Sequence, residues 1–194
     1  MFNFTGKSVA VVGSSGHLLE RDYASSIDSH DIVIRFNQAR VEGYEEFVGN
    51  RTDYRIVNVH TFLGTTGKSR FPANNPNFIP SLPAQHIIVN RPIPTSSIEK
   101  RSPNNQVSIL SDEFWKSCED LLMNRKQPSV GFLGIILAVN TADRVSVYGF
   151  DQEHTTEKKH YWEDVKGLGD WHSFSAEKEY TRKLEKTNKI TIFN

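Results

Sequence analysis

Cysteine is almost missing from this sequence: Cys118 is the only one in 194 residues. A single thiol cannot close an intrachain disulfide, so the fold has to stand on its core, and Cys118 is expected to be a small buried or half-buried apolar residue within it. Net charge is missing too, because 23 Lys and Arg balance 23 Asp and Glu. Without a global field the chain is not expected to bind nucleic acid or an anionic membrane surface, although a local cationic pocket for one phosphate stays open. There is no long hydrophobic run. The longest, Val130 to Val139, contains two glycines and is far too short for a transmembrane segment. Strand-like sequence begins within a few residues of Met1, which leaves no room for a signal peptide or anchor, so a soluble protein is expected.

What is present reads as alternating strands and helices. Ser8–Val12 is a β-branched run ending in Gly13-Ser14-Ser15-Gly16, a buried strand entering a tight loop. Asp31–Phe36 and Tyr54–Val59 read as further strands, followed by short apolar runs at His86–Val89 and Val107–Leu110. Between them Gly64–Pro83 is rich in Gly, Thr, Asn and Pro and is expected to be an irregular excursion. Ser111 caps a helix with Asp112 and Glu113 in its first turn and Phe114, Cys118, Leu121 and Leu122 on one face. Val130–Thr141 is apolar on nearly every side, as a central helix is. Arg144–Tyr148 is a strand ending in Gly149, a last helix is expected from a cap at Ser175, and Ile190–Phe193 closes the pattern. The alternation predicts one α/β domain over residues 1–194, with a mostly parallel central sheet flanked by helices. Ligands of such sheets bind beyond the carboxyl ends of the strands, where Gly13–Gly16, Asn37 and Gly149–Asp151 fall.

Three stretches offer chemistry. The Gly13–Gly16 loop can present backbone N–H groups to a phosphate, though it carries only half of a dinucleotide fingerprint and equally fits a plain turn. Pro128-Ser129-Val130-Gly131 is a good helix start, whether its free N–H groups face an anion or only begin the helix. His160-Tyr161-Trp162-Glu163, followed by His172 and Glu177, places two imidazoles among aromatics that could wall a pocket. With an unperturbed pKa of about 6.5, histidine is the side chain best suited to proton transfer near neutrality. No His/Cys spacing supports zinc. Asp-x-Asp is absent from the whole sequence. Transferases of UDP- or GDP-sugars commonly hold a divalent ion against the diphosphate with carboxylates, so its absence leans toward a nucleoside-monophosphate donor and no metal cofactor.

Taken together, these segments resemble glycosyltransferase family 29, the animal-type sialyltransferases. VAVVGSSGHL, IDSHDIVIRFNQA and GYEEFVGNRTD between Val9 and Asp53 resemble the long sialylmotif. PSVGFLGIILAVNTADRVSVYGFD, Pro128 to Asp151, resembles the short one. His160-Tyr161-Trp162-Glu163 resembles the third motif and His172 with Glu177 the very short motif, all in the family's order. The resemblance implies a Rossmann-like variant of the GT-A fold. It also implies inverting transfer of sialic acid from CMP-sialic acid to a glycan hydroxyl, on an acceptor ending in galactose or sialic acid.

Position by position, the resemblance makes His172 the general base and His160 the group that contacts the donor phosphate. Gly13, Ser14, Ser15, Gly16 and Asn37 would hold phosphate and ribose. Ser129, Val130 and Gly131 would meet the cytidine or the sugar carboxylate, and Gly149, Phe150 and Asp151 the nucleotide. Tyr161 and Trp162 would support the site, and Glu177 would orient or cap. The departures also speak. The family usually has Asn where Ser14 stands and Thr at Val130, so polar donor contacts are fewer. Its inter-motif disulfide would join positions 9 and 142, which are Val9 and Ala142 here. Losing both cysteines together suggests the cytoplasm or another reducing compartment. Two alternatives stay open: transfer of another CMP-linked nonulosonic or octulosonic acid such as Kdo, and an inactive CMP-sugar-binding domain.

Overall fold

The computed structural model describes residues 2–64, 86–123, 126–150, 160–163 and 172–193. The chain runs through β1 (Phe4–Val12), α1 (Ala24–Asp28), β2 (Ile32–Phe36), α2 (Glu45–Val48), β3 (Tyr54–Val57) and α3 (Val59–Leu63). It continues through β4 (His86–Val89), α4 (Thr95–Arg101), β5 (Gln106–Ile109), α5 (Asp112–Leu121), α6 (Val130–Thr141), β6 (Ala142–Tyr148), α7 (Phe174–Lys186) and β7 (Thr191–Phe193). The strands form one sheet in the order β5-β4-β3-β2-β1-β6-β7, and every pairing is parallel. An all-parallel sheet needs cover on both faces, and that explains why its strands read as unbroken apolar runs.

In β1, Val9 and Val11 face one apolar cluster and Ala10 and Val12 the other. The first cluster contains α6, whose seven residues Phe132–Ala138 are all buried, together with Trp115 and Cys118 of α5 and Leu184 of α7. Helix α6 lies so close to the sheet that a Cβ on Gly134 would collide with the Phe36 ring. Val9 lies in this cluster and Ala142 packs against it, so apolar contact occupies the two positions where the resemblance places a disulfide. Burial pushes the Cys118 thiol up to about 12, which leaves it a protonated apolar filler near neutrality. The other face buries Leu18, Ile27, Val48 and Tyr161 against Ala10, Val33 and Tyr148.

Several sequence-based boundaries need correction, β6 among them, which starts at Ala142 ahead of Arg144. β3 stops at Val57 because the Asn58 side chain accepts from the His60 N–H and caps α3, so Val59 is helical. α7 begins two residues early, with Ser173 rather than Ser175 at the cap and no side-chain cap bond there. The inner face of α5 is Trp115, Cys118 and Leu122, with Phe114 half-buried, whereas Leu121 is 36% exposed. β1 starts at Phe4, ahead of Ser8. The expected excursion falls, beyond Gly64, on residues outside those described. Among the described residues no helix is long and apolar enough to cross a membrane.

Candidate active site

The carboxyl ends of β1, β2 and β6 lie side by side at the middle of the sheet, so the turns that follow them share one rim. The Gly13–Gly16 turn is fastened to the end of β6. The Gly13 N–H donates to Tyr148 O at 2.7 Å and the Ser15 N–H to Gly149 O at 3.1 Å. Ser15 Oγ accepts from the His17 N–H at 3.3 Å, and Gly16 opens a 3-10 turn through Leu19. The loop is therefore no open nest of N–H groups, since two of them are already committed. Half-buried Ser14 keeps a hydroxyl with no protein partner among the described residues, while its carbonyl accepts from the Tyr161 N–H at 3.0 Å.

Asn37, at the end of β2, is held in the left-handed region with φ 43°. Its N–H extends the ladder to Ile56 O, and its Oδ1 accepts from the Asn58 N–H, both at 2.9 Å. That leaves the carboxamide NH2 as its unoccupied donor among the described residues. Asparagine tolerates this conformation better than most residues, because its short side chain can bond locally.

Phe150 joins the loop to the start of α6. A Cβ on Gly13 would come within 2.9 Å of its ring, and one on Gly131 within 2.8 Å. Glycine at both places lets a half-buried ring sit between them, edge-on to Phe36 at 5.9 Å. Asp151, expected beside it, lies outside the described residues.

The start of α6 is built from two distant segments. Ser129 Oγ accepts from the Phe132 N–H at 3.1 Å, the helix-cap bond expected of it. Glu177 adds both carboxylate oxygens: Oε1 accepts from the Ser129 N–H and Oε2 from the Ser129 hydroxyl, each at 2.7 Å. Glu177 is only 2% exposed. Burial pushes its carboxyl up from the ordinary value, and the Ser129 bonds and the nearby His172 pull the other way. Of the two roles open to Glu177, the geometry displays the cap. Val130, half-buried, occupies the first turn of α6 with Gly131.

The two histidines are tied to different parts of the rim. His160 Nδ1 lies 2.8 Å from Glu163 Oε1, and its ring stacks on Trp162 at 4.5 Å and 11°. His172 Nδ1 lies 2.8 Å from the carbonyl of Gln127, two residues before the cap of α6. Carboxylate and carbonyl oxygens only accept, so Nδ1 carries the proton in both rings and Nε2 is left for other partners. Among the described residues no hydrogen bond or ring contact joins the two imidazoles. His160 stands with the Ser14 loop and His172 with the start of α6.

Sequence reasoning misplaced one aromatic and missed several groups. Tyr161 does not wall a pocket: it is 1% exposed, its hydroxyl donates to Arg40 O, and it anchors the His160 segment to both Ser14 and the loop after β2. Glu163 was given no role, although three residues is one turn of spacing from His160. Gln127 contributes a main-chain carbonyl, for which no residue signal exists. Among the described residues no group of three or more His, Cys, Asp or Glu side chains stands ready to hold a metal.

Comparison with known proteins converges on one family. The family model described as glycosyltransferase family 29 (sialyltransferase) matches residues 4–189. Human CMP-N-acetylneuraminate-beta-galactosamide-alpha-2,3-sialyltransferase 1 is 32% identical, over 95% of this chain and 57% of that protein. Bovine beta-galactoside alpha-2,6-sialyltransferase 2 is 30% identical over 92% of this chain and 41% of its own length. The crystal structure of a mammalian sialyltransferase superposes with a TM-score of 0.74 at 28% identity, covering 96% of this chain and 68% of that one. A second structure of a mammalian sialyltransferase, in complex with Gal-beta-1-3GalNAc-ortho-nitrophenol, gives the same score and identity over 69% of its chain. The chain thus spans less than two thirds of the length of these curated relatives.

Proposed function

Because the chain belongs to glycosyltransferase family 29, the sialyltransferase family, we propose that it transfers sialic acid from CMP-Neu5Ac to a glycan hydroxyl, with inversion and without a divalent metal. The observation that carries this reading is the arrangement at the sheet rim. A turn fastened to β6 and the capped start of α6 close on Phe150 through Gly13 and Gly131, and a fixed asparagine amide ends β2. An imidazole is tied to each of those two turns, with no hydrogen bond at either Nε2 among the described residues.

In the proposed reaction the acceptor hydroxyl attacks the anomeric carbon as the bond from that carbon to the CMP phosphate oxygen breaks. The neutral His172 ring, with its proton on Nδ1 toward Gln127, takes the hydroxyl proton at Nε2. His160, with Glu163 behind it as a counter-charge when the ring is protonated, gives an N–H to the departing phosphate. Ser14 and the Asn37 NH2 are the side-chain donors left for phosphate and ribose. Cytidine or the sugar carboxylate is assigned to the Ser129–Gly131 turn. Glu177 already occupies the Ser129 N–H and hydroxyl proton, so the N–H groups of Val130 and Gly131 are the ones to serve there. A monophosphate leaving group carries less charge than a diphosphate, and hydrogen bonds with one imidazolium are enough to hold it.

The acceptor is proposed to end in galactose or sialic acid. The curated relatives named above include both α2,3 and α2,6 enzymes acting on galactosides, so linkage is left to the test. The chain is incubated with CMP-Neu5Ac or CMP-Kdo and a panel of galactosides and sialosides, with and without EDTA, and products are identified by mass and linkage. Sialylated product, unchanged by EDTA, is the expected result. Transfer only from CMP-Kdo would replace the donor, an EDTA-sensitive rate would overturn the metal-free mechanism, and CMP binding without any turnover would make this an inactive CMP-sugar-binding domain.

A further inference from the structure

Two arginines on neighbouring strands are buried on the sheet face that carries Val33 of β2 and Val57 of β3. Arg35 of β2 and Arg55 of β3 are register partners, 0% and 2% exposed. Arg35 forms no salt bridge with a carboxylate among the described residues. Arg35 gives its Nε to Arg51 O and Thr52 Oγ1 and its NH2 to the Val48 carbonyl, while its NH1 has no partner among the described residues. Arg55 directs NH1 to the carbonyls of Asn37, at 3.1 Å, and Ala39, at 2.9 Å. Burial, and then the charge of Arg35, lower Arg55 to about 10, still cationic near neutrality.

Taking two like charges out of water side by side is costly, and main-chain carbonyls offset that cost only where they converge. They converge here because the chain doubles back at Asn37. The left-handed residue turns its carbonyl and that of Ala39 toward one guanidinium nitrogen. Arg55 holds Asn37 from behind, the Ile56 carbonyl holds its N–H, and the Asn58 N–H holds its Oδ1. With those three contacts in place, the carboxamide NH2 has one orientation in which to meet a ligand. Removing Arg55 would take this donor from the buried Ala39 carbonyl and the half-buried Asn37 carbonyl, and the turn could relax out of the left-handed region.

We propose that Arg55 is a positioning residue of the donor site, acting through Asn37: it touches no substrate, and it fixes the turn that aims the Asn37 amide at the nucleotide. This rests on the reading of Asn37 as a donor contact, and the test separates the two claims. CMP affinity is measured by calorimetry for the unaltered chain, Asn37→Ala, Arg55→Met, Arg55→Lys and the Asn37→Ala/Arg55→Met pair, with folding followed by far-UV circular dichroism. Asn37→Ala is expected to weaken CMP about tenfold, the loss of one hydrogen bond to a charged group. Arg55→Met should weaken it by a similar factor, and Arg55→Lys, which keeps the charge but not the forked donor, by less. The paired variant should bind no worse than Asn37→Ala alone, within about twofold. A purely structural arginine would instead give additive losses, about a hundredfold in the pair, and that overturns the proposal. So does wild-type affinity in Arg55→Lys, which carries the test if Arg55→Met does not fold. Should Asn37→Ala itself bind CMP normally, the donor-site reading of Asn37 falls, and this inference with it.

Discussion

Behind His160 stands a carboxylate, and behind His172 a carbonyl. Glu163 and Gln127 each sit 2.8 Å from an Nδ1, so both rings are aimed equally well. What differs is the charge each partner favours. A carboxylate neutralises an imidazolium, whereas a carbonyl orients the ring and supplies no counter-charge. His160 also lies flat on Trp162 beside the buried Tyr161 anchor, while His172 precedes α7 and meets Phe174 only edge-on at 5.6 Å. The loop side of the site thus has an imidazole backed directly by a carboxylate, and the helix side one backed by a neutral acceptor. On the proposed reaction those are the leaving-group side and the acceptor side. On that proposal, the atom behind each ring is what separates the roles of two identical side chains.

The largest effect should come from the acceptor side. His172→Ala is expected to lower transfer by roughly 10²–10⁴-fold, the range for losing a positioned general base, while CMP binding stays within about twofold. Turnover with CMP-Neu5Ac alongside calorimetry with CMP measures both. His160→Ala should cost less in turnover, about 10–10²-fold, and should also weaken CMP, because that ring is assigned to the phosphate. If the two variants lost turnover and CMP affinity in the same proportions, the division of labour drawn from their partners would be wrong.

Much of this was legible in the sequence. Strands buried on both faces show as apolar runs, and SVAVV and RVSVY could be read without any tertiary information. The α6 segment was legible because the apolar run Val130–Val139 behind a Pro-Ser start is too long for one strand. Other features depend on contacts made across the fold. Arg35 in DIVIRF occupies a position that alternation assigns to solvent, yet both faces of its strand are covered and it is fully buried. Tyr161 sits in a polar stretch and becomes core only because the Ser14 carbonyl and Arg40 lie above it. Ser129 and Glu177 are 48 residues apart, and nothing local in either segment announces their bond. The stop of β3 at Val57 was hidden because an asparagine followed by valine reads equally as strand or as cap.

A smaller effect would sharpen the contrast on the loop side. Glu163→Gln keeps an acceptor for Nδ1 but removes the counter-charge, so turnover should fall about 3–10-fold, in line with losing charge assistance from one hydrogen bond. The same experiment has no equivalent at His172, where the partner is main chain. Burst or single-turnover kinetics on Glu163→Gln should place the loss in the transfer step and not in acceptor KM. An unchanged rate would mean that Glu163 does no more than orient the ring.

The smallest effect concerns Glu177, the carboxylate that stands behind the α6 cap and close to His172 without bonding its ring. Glu177→Ala would orphan the Ser129 N–H and hydroxyl, and about 1–3 kcal/mol of stability should be lost. Glu177→Gln should be far milder, since a carboxamide oxygen can accept from the Ser129 N–H and the Ser129 hydroxyl can turn to accept from its NH2. The informative quantity is the pH dependence. Burial pushes the Glu177 carboxyl above its ordinary value of 4.5, against the opposing pull of Ser129 and His172. A carboxyl raised by folding contributes stability that is fully present below that ordinary value and is lost as pH rises through the folded-state value. Glutamine has nothing to titrate. Urea midpoints from pH 4 to 8 should therefore show the unaltered chain losing ground to Glu177→Gln as pH rises. The opposite slope would mean that the carboxylate gains more from the Ser129 bonds and a protonated His172 than burial takes away. In that case the helix side of the site would carry a counter-charge after all, and the contrast with His160 would shrink to one of geometry.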